Sequence, residues 1–157
     1  MTDPLEGLSE RIKVELEELE QVLERIEEGW QRARRSGDDF YLDSVALNLH
    51  GFYSGLERIF QRIAEILDGD MPKGENWHKA LLAQMTKEVP GIRPAVVSMT
   101  TCQRLDEYRG FRHVVRNVYT YQFDPVKVEK LVIGSGAIFS QTRSELLAFA
   151  QFLNSRN

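Results

Sequence analysis

The part of the chain best suited to chemistry is a basic stretch, YRGFRHVVRNVY, at positions 108–119. Within about two helical turns it gathers one histidine and three arginines, namely Arg109, Arg112, His113 and Arg116. The planar guanidinium of arginine suits phosphate, and a histidine can carry a proton near neutral pH. The stretch therefore contains the residue types needed to bind and cleave a phosphodiester.

On a helix, the arginines of this stretch would share one strip. At about 100° per residue they fall within roughly 60° of one another, on the border of the apolar side. His113 and Asn117 lie on the outward flank of the strip, and Tyr108 and Tyr119 offer aromatic faces on which nucleic-acid bases can stack. Such a strip is suited to binding RNA.

The clustering of like charges needs a reason, because cations three and four residues apart on a helix repel by a few tenths of a kcal/mol per pair. An anionic partner such as RNA is one reason. The other is pairing with acidic residues of the first two helices, which are abundant and include Glu15, Glu17, Glu18, Glu20 and Glu24. The sequence leaves both explanations open.

Five helices are predicted to position the basic stretch. Apolar residues recur every three or four positions in the first two, and the short link SGDD between them favours an antiparallel hairpin. The predicted helices cover about 4–35, 39–67, 77–89, 99–121 and 125–154. Strand signals are nearly absent. The sequence therefore predicts an all-α fold, a helical bundle of about five helices built on a long antiparallel helix hairpin.

Length and composition predict one globular domain over residues 1–157, with 42% hydrophobic and 28% charged residues. The single cysteine, Cys102, has no partner for an internal disulfide, and no Cys/His cluster has the spacing of a zinc site. No run of about 18 apolar residues could span a membrane. We expect a cytoplasmic protein without a metal or cofactor, and the net charge of −4 means that RNA would have to bind to a local basic patch.

Beyond these patterns, the chain resembles a known family over nearly its whole length. The resemblance rests on YSGLERIFQRIA in the second helix, NWHKALLAQM after the following loop, and LDEYRGFRHVVRNVY with FDPVKV behind it. These runs are similar to HepT-like toxins of the HEPN superfamily, whose motif is Arg, four to six residues, His, one residue and Tyr. Arg112 matches the arginine and Tyr119 the tyrosine, whereas Asn117 occupies the histidine position.

The resemblance implies an RNA-cleaving toxin that acts as a homodimer without a metal, with the motif residues of both subunits in an interface cleft. Arg112 would hold the scissile phosphate, and Arg109, Arg116 and Tyr108 would extend the RNA-binding surface. The cognate antitoxin of such a system is a small nucleotidyltransferase that adenylylates the motif tyrosine. Carried over to this chain, the modified residue is Tyr119.

Asn117 is the departure from the motif, because an amide forms hydrogen bonds but cannot carry a proton between two oxygens. His113 could take over as the acid or base, with Asn117 in a positioning role. Alternatively, the chain is a non-catalytic HEPN module that binds a nucleotidyltransferase partner or a nucleotide. A third interpretation is a structural dimerisation domain with no affinity for RNA.

The remaining polar residues within helices have mainly structural interpretations. His50 is expected to be a partly buried histidine with a hydrogen-bond partner, and Glu57 and Arg58 are expected to form ion pairs with neighbouring helices. His78, at the start of the third helix, is expected to be structural too. The resemblance to the family also allows His78 to line the cleft.

Overall fold

The computed structural model describes residues 3–156, apart from the side chain of Thr120. Over this range the chain forms five α-helices: α1 (Pro4–Ser36), α2 (Phe40–Ile63), α3 (Trp77–Gln84), α4 (Met99–Asn117) and α5 (Pro125–Ser155). A π-helical turn, Ala64–Asp68, extends α2, and a 3-10 turn, Thr120–Gln122, precedes α5. Residues 3–156 contain no β-strand. The predicted all-α helical bundle is confirmed.

Helices α1 and α2 form the predicted antiparallel hairpin. Gly37, with φ of 66°, ends α1 in the left-handed conformation that glycine adopts at little cost. The two helices approach closely at glycines: a Cβ on Gly29 would lie 3.1 Å from Val45, and one on Gly55 would lie 2.6 Å from Leu19. Because later residues of one helix meet earlier residues of the other, the pair runs antiparallel. Their facing apolar rows make up much of the core.

The third helix is shorter than the sequence predicts, ending at Gln84 rather than near position 89. Arg93 explains the early end. Its guanidinium, fully buried, pairs with Asp68 and also donates to the backbone carbonyls of Gln84 and Lys87. These carbonyls are satisfied by a side chain instead of by a further helical turn. The same arginine fixes the end of the π-helical turn against the loop that follows α3.

The fourth helix also ends early, at Asn117 rather than near position 121. Val118 is extended, with φ of −124° and ψ of 138°, and the chain turns back so that buried Phe123 packs against Phe111 with ring centroids 6.0 Å apart. Asp124 then caps α5 by accepting a hydrogen bond from the backbone N–H of Val126. Burial of one aromatic ring therefore outweighs continuation of the helix.

The beginning of α4 is fixed by α5. The carboxylate of Glu145 accepts hydrogen bonds from the backbone N–H of Ser98 at 2.5 Å and from the hydroxyl of Thr101 at 2.6 Å.

Within residues 3–156, no helix is long and apolar enough to cross a lipid bilayer.

Candidate functional site

A cleft of about 610 Å³ opens between the start of α3 and the second half of α4. Its lining contains four cationic side chains and one carboxylate. The lining residues are Glu75, Asn76, His78, Lys79, Arg109, Arg112, His113, Arg116 and Asn117. The cleft therefore presents a strongly positive surface on a chain whose net charge is −4, and the structure brings together most of the residues that the sequence singled out.

At the floor of the cleft, three side chains from three helices form a connected group, which we call the Glu57–His78–Arg112 cluster. His78 Nδ1 lies 2.8 Å from Glu57 Oε2, and His78 Nε2 lies 3.5 Å from Arg112 Nη1. Arg112 Nε lies 4.0 Å from Glu57 Oε1. The side chains are 6%, 23% and 17% exposed, in the order of the cluster's name. A buried carboxylate thus contacts the imidazole at hydrogen-bond distance and lies beside the guanidinium, whose Nε atom has no hydrogen-bond partner among the described residues.

The contacts of His78 define which of its nitrogens carries the proton. A guanidinium only donates hydrogen bonds, and an ionised carboxylate only accepts them. The arrangement is satisfied when His78 Nδ1 donates to Glu57 and Nε2 keeps its lone pair toward Arg112. The ring of Trp77 lies against that of His78, with centroids 3.6 Å apart and planes 31° apart, and restricts the imidazole further.

The other two arginines of the cleft differ in their contacts. Arg109 Nε is 2.6 Å from Asp106 Oδ1, one turn earlier on the same helix. Arg116 is exposed and forms no ion pair with any carboxylate in the described part of the chain. The glutamates of α1 that form ion pairs across the bundle do so elsewhere, Glu15 with Arg58 and Glu20 with Arg143. Pairing with acidic residues of the first two helices therefore accounts for Arg112, through Glu57 of α2, but not for Arg109 or Arg116.

His113 and Asn117 are both exposed at the rim of the cleft. Asn117 Nδ2 donates to the backbone carbonyl of His113 at 2.7 Å and lies 3.3 Å from the ring nitrogen Nδ1 of the same residue. The amide at the motif position is thus engaged with its own helix. Its oxygen stays available as a hydrogen-bond acceptor.

The structure does not support the RNA-binding role predicted for Tyr108. Its side chain is buried, and its hydroxyl donates to the backbone carbonyl of Leu131 at 2.7 Å, so the ring faces the core instead of the cleft. Burial raises the pKa of the phenol, which therefore stays neutral. The sequence misplaced this residue because Tyr108 sits on the border between the apolar side and the basic strip.

Tyr119 lies beyond the end of α4 rather than on it. It is 75% exposed, and its ring stacks on that of Tyr121, with centroids 6.0 Å apart and planes 10° apart. The hydroxyl is therefore accessible to another macromolecule. Neither tyrosine therefore extends the basic strip of α4, because Tyr108 is in the core and Tyr119 follows the helix.

His50, on α2, faces the arginines of the cleft from behind. Burial, with smaller effects from Arg112 and Arg116, lowers the pKa of its imidazole. We expected this ring to have a hydrogen-bond partner. Its Nε2 atom is instead buried without one among the described residues. A neutral ring is what this cationic environment favours.

Sequence reasoning gave Glu57 and His78 structural roles, whereas the structure places both at the site. They are 21 residues apart along the chain, so no local motif contains them. The one signal that could have indicated them was that each lies in a run, YSGLERIFQRIA or NWHKALLAQM, that resembles the family. Ion pairing of Glu57 and Arg58 with neighbouring helices is confirmed.

No curated protein and no solved structure shows significant similarity to the chain. A family model, described as HepT-like protein, matches residues 44–153. The match includes all three members of the Glu57–His78–Arg112 cluster and the whole basic stretch. Because it extends over more than two thirds of the chain, and agrees with the all-α bundle and the position of the cleft, the chain belongs to the HepT-like protein family.

Proposed function

We propose that this chain is the toxin component of a toxin–antitoxin pair and cleaves RNA as a metal-independent endonuclease in the cytoplasm. The observation that carries the proposal is the cleft between α3 and α4, where four cations surround two imidazoles, His78 and His113. Cationic grooves track nucleic-acid backbones, and imidazoles move protons during phosphodiester cleavage.

Arg112 is the proposed phosphate ligand. Its guanidinium lies beside Glu57, 4.0 Å from Nε, and His78, 3.5 Å from Nη1, and a donor already in position stabilises the charge that develops on phosphate without reorganising during the reaction. Arg116 and Lys79, both exposed on the walls of the cleft, would attract the adjacent phosphates, with Arg109 assisting from its pair with Asp106. Asn117 would orient the ribose or the phosphate through its amide oxygen.

The proposed active form is a homodimer. In the single chain the cleft is open to solvent along α4, and the exposed stacked pair Tyr119 and Tyr121 follows directly behind that helix. A second copy covering this face would enclose the RNA, as the resemblance to HepT-like toxins implies. Tyr119 is also the proposed target of a minimal nucleotidyltransferase antitoxin, and its accessible hydroxyl fits that reaction.

A second candidate function is a non-catalytic module that binds a nucleotidyltransferase partner or a nucleotide at the same surface. Asn117 favours it, because the amide occupies the motif histidine position and is engaged with the backbone of His113. In this case the arginines of the cleft would bind an anion without cleaving it.

The two candidates separate when the chain is expressed in bacteria while growth and total RNA are followed. The wild type should arrest growth and degrade RNA, and Arg112→Ala should do neither. Arg104→Ala is the matched control, since it removes an exposed arginine of the same helix outside the cleft, and it should behave like the wild type. A harmless wild type together with a toxic Asn117→His would favour the non-catalytic module.

A further inference from the structure

We infer that His78, oriented by Glu57, is the group that transfers the proton in RNA cleavage, in place of the histidine missing from the motif in α4. The inference rests on the ribonuclease function proposed above and assigns a catalytic residue from a different helix. It does not require a motif histidine at position 117.

The first support is the position of Glu57. Burying a carboxylate is costly unless partners compensate it, and Glu57 is one of the two charged residues buried within the described part of the chain. Its partners are the two groups that face the cleft, His78 at 2.8 Å and Arg112 at 4.0 Å. A carboxylate behind an imidazole fixes its tautomer and its orientation, as in hydrolytic triads.

The second support is the direction of the other ring nitrogen. Nε2 of His78 points at Arg112 Nη1, 3.5 Å away, on the wall of the cleft. A phosphate bound by Arg112 would therefore lie beside an unprotonated nitrogen. The ribose 2′-hydroxyl next to the scissile phosphate comes within reach of that nitrogen, which is the geometry that a general base requires.

His113, the histidine that the sequence favoured, lacks this support. It is exposed at the rim, and its nearest polar side chain is the amide of Asn117, at 3.3 Å from Nδ1. No carboxylate of the described residues pairs with its ring. An imidazole without an orienting partner adopts several rotamers and both tautomers, so His113 suits binding better than proton transfer.

The chemical step balances with these groups alone and water. His78 Nε2 removes the proton of the 2′-hydroxyl while the 2′-oxygen forms a bond to phosphorus, and the bond from phosphorus to the 5′-oxygen breaks. The departing 5′-oxygen takes a proton from water, and the hydroxide left behind takes the proton held by His78. The products are a 2′,3′-cyclic phosphate and a 5′-hydroxyl, and the imidazole is restored.

The charged and titratable groups that face His78 come from each helix packed around it. Glu57 lies behind it on α2, and Arg112 lies in front of it on α4. Glu75 and Lys79 line the same cleft from the side of α3. Glu57 is thus a positioning residue, acting through His78, and its loss should lower kcat while KM for RNA stays nearly unchanged.

The test uses the purified full chain, total bacterial RNA as the substrate, and variants at His78 and Glu57 beside a control variant at Arg104. His78→Asn keeps an N–H donor toward Glu57 but removes the proton carrier, so the fold should persist. It should lose at least about 100-fold in cleavage rate, the range of acid–base catalysis, with RNA affinity nearly unchanged. Arg104→Ala, which removes an exposed arginine of α4 outside the cleft, should retain the wild-type rate. Thermal unfolding of each variant verifies the fold, and added imidazole should partly rescue His78→Gly.

Glu57→Gln distinguishes positioning from simple structural support. The neutral amide can still accept from His78 Nδ1, so kcat should fall while KM for RNA and the thermal stability stay close to those of the wild type. Cleavage by the wild type that persists in His78→Asn would overturn the inference while leaving the ribonuclease function intact. RNA left uncut by the wild type at every pH would overturn both.

Discussion

The unpaired state of Arg116 leads to a quantitative prediction about RNA binding. Its side chain is exposed on the wall of the cleft and forms no ion pair with the described carboxylates. Arg116→Ala should therefore leave the stability of the fold nearly unchanged, within about 0.5 kcal/mol for a surface substitution. Any effect on RNA binding must then arise from the lost charge.

The size of that effect follows from counterion release. For single-stranded nucleic acid, the logarithm of the association constant falls with the logarithm of salt concentration with a slope of about −0.7 per neutralised phosphate. If Lys79, Arg112 and Arg116 each neutralise one phosphate, the slope is about −2 per protomer, and Arg116→Ala should reduce it to about −1.4. The same term lowers affinity about fivefold at 0.1 M salt.

The assay is fluorescence anisotropy of labelled single-stranded RNA, titrated with protein over a series of KCl concentrations. Arg104→Ala, an exposed arginine of the same helix outside the cleft, should reproduce the wild-type slope. Equal slopes for wild type and Arg116→Ala would refute the assignment of the cleft as the RNA surface. Absence of salt-dependent binding in the wild type would instead favour a purely structural domain.

Two further predictions concern stability and pH. Asp68→Asn should cost about 3–5 kcal/mol in urea unfolding, because it leaves the fully buried guanidinium of Arg93 without its counter-ion; Asp70→Asn, an exposed neighbour, should cost little. Burial raises the pKa of Asp68, but hydrogen bonds from Arg93 and Gln84 outweigh that effect and lower it. The stability that ionised Asp68 contributes should therefore be lost as pH falls below about 3.8, and Asp68→Asn should not show that loss. The lowered pKa of His50 means that the unfolded chain binds its proton first; wild-type stability should fall as pH drops below about 6.5, and calorimetry of His50→Gln should show a shallower fall. A pH dependence unchanged in His50→Gln would contradict the burial of that ring.

The sequence predicted the helices well because their cause is local. The apolar spacing acts within a few residues, and so do the cap and first residue of each helix, Asp3 and Pro4 in α1 and Asp124 and Pro125 in α5. The two early helix ends depend on distant partners instead. Arg93 donates hydrogen bonds to backbone carbonyls at and after the end of α3, and Phe123 packs against Phe111 after α4. The spacing of apolar residues indicates neither contact.

The candidate site divides in the same way. The arginine strip was visible because its members share one helix, and the structure places all three arginines at one cleft. The Glu57–His78–Arg112 cluster was not predicted, since its members come from three helices and meet only through packing. Taken alone, a buried glutamate and a histidine at the start of a helix suggest structural roles. Their contacts with Arg112 are what place them at the site.

The central claim is that the cleft cleaves RNA, and purified protein incubated with RNA in the presence of a metal chelator tests it most directly. The claim predicts fragments ending in 2′,3′-cyclic phosphate and 5′-hydroxyl from the wild type and from Arg104→Ala, and intact RNA from Arg112→Ala. Intact RNA in every reaction, or cleavage that Arg112→Ala leaves unchanged, would contradict it.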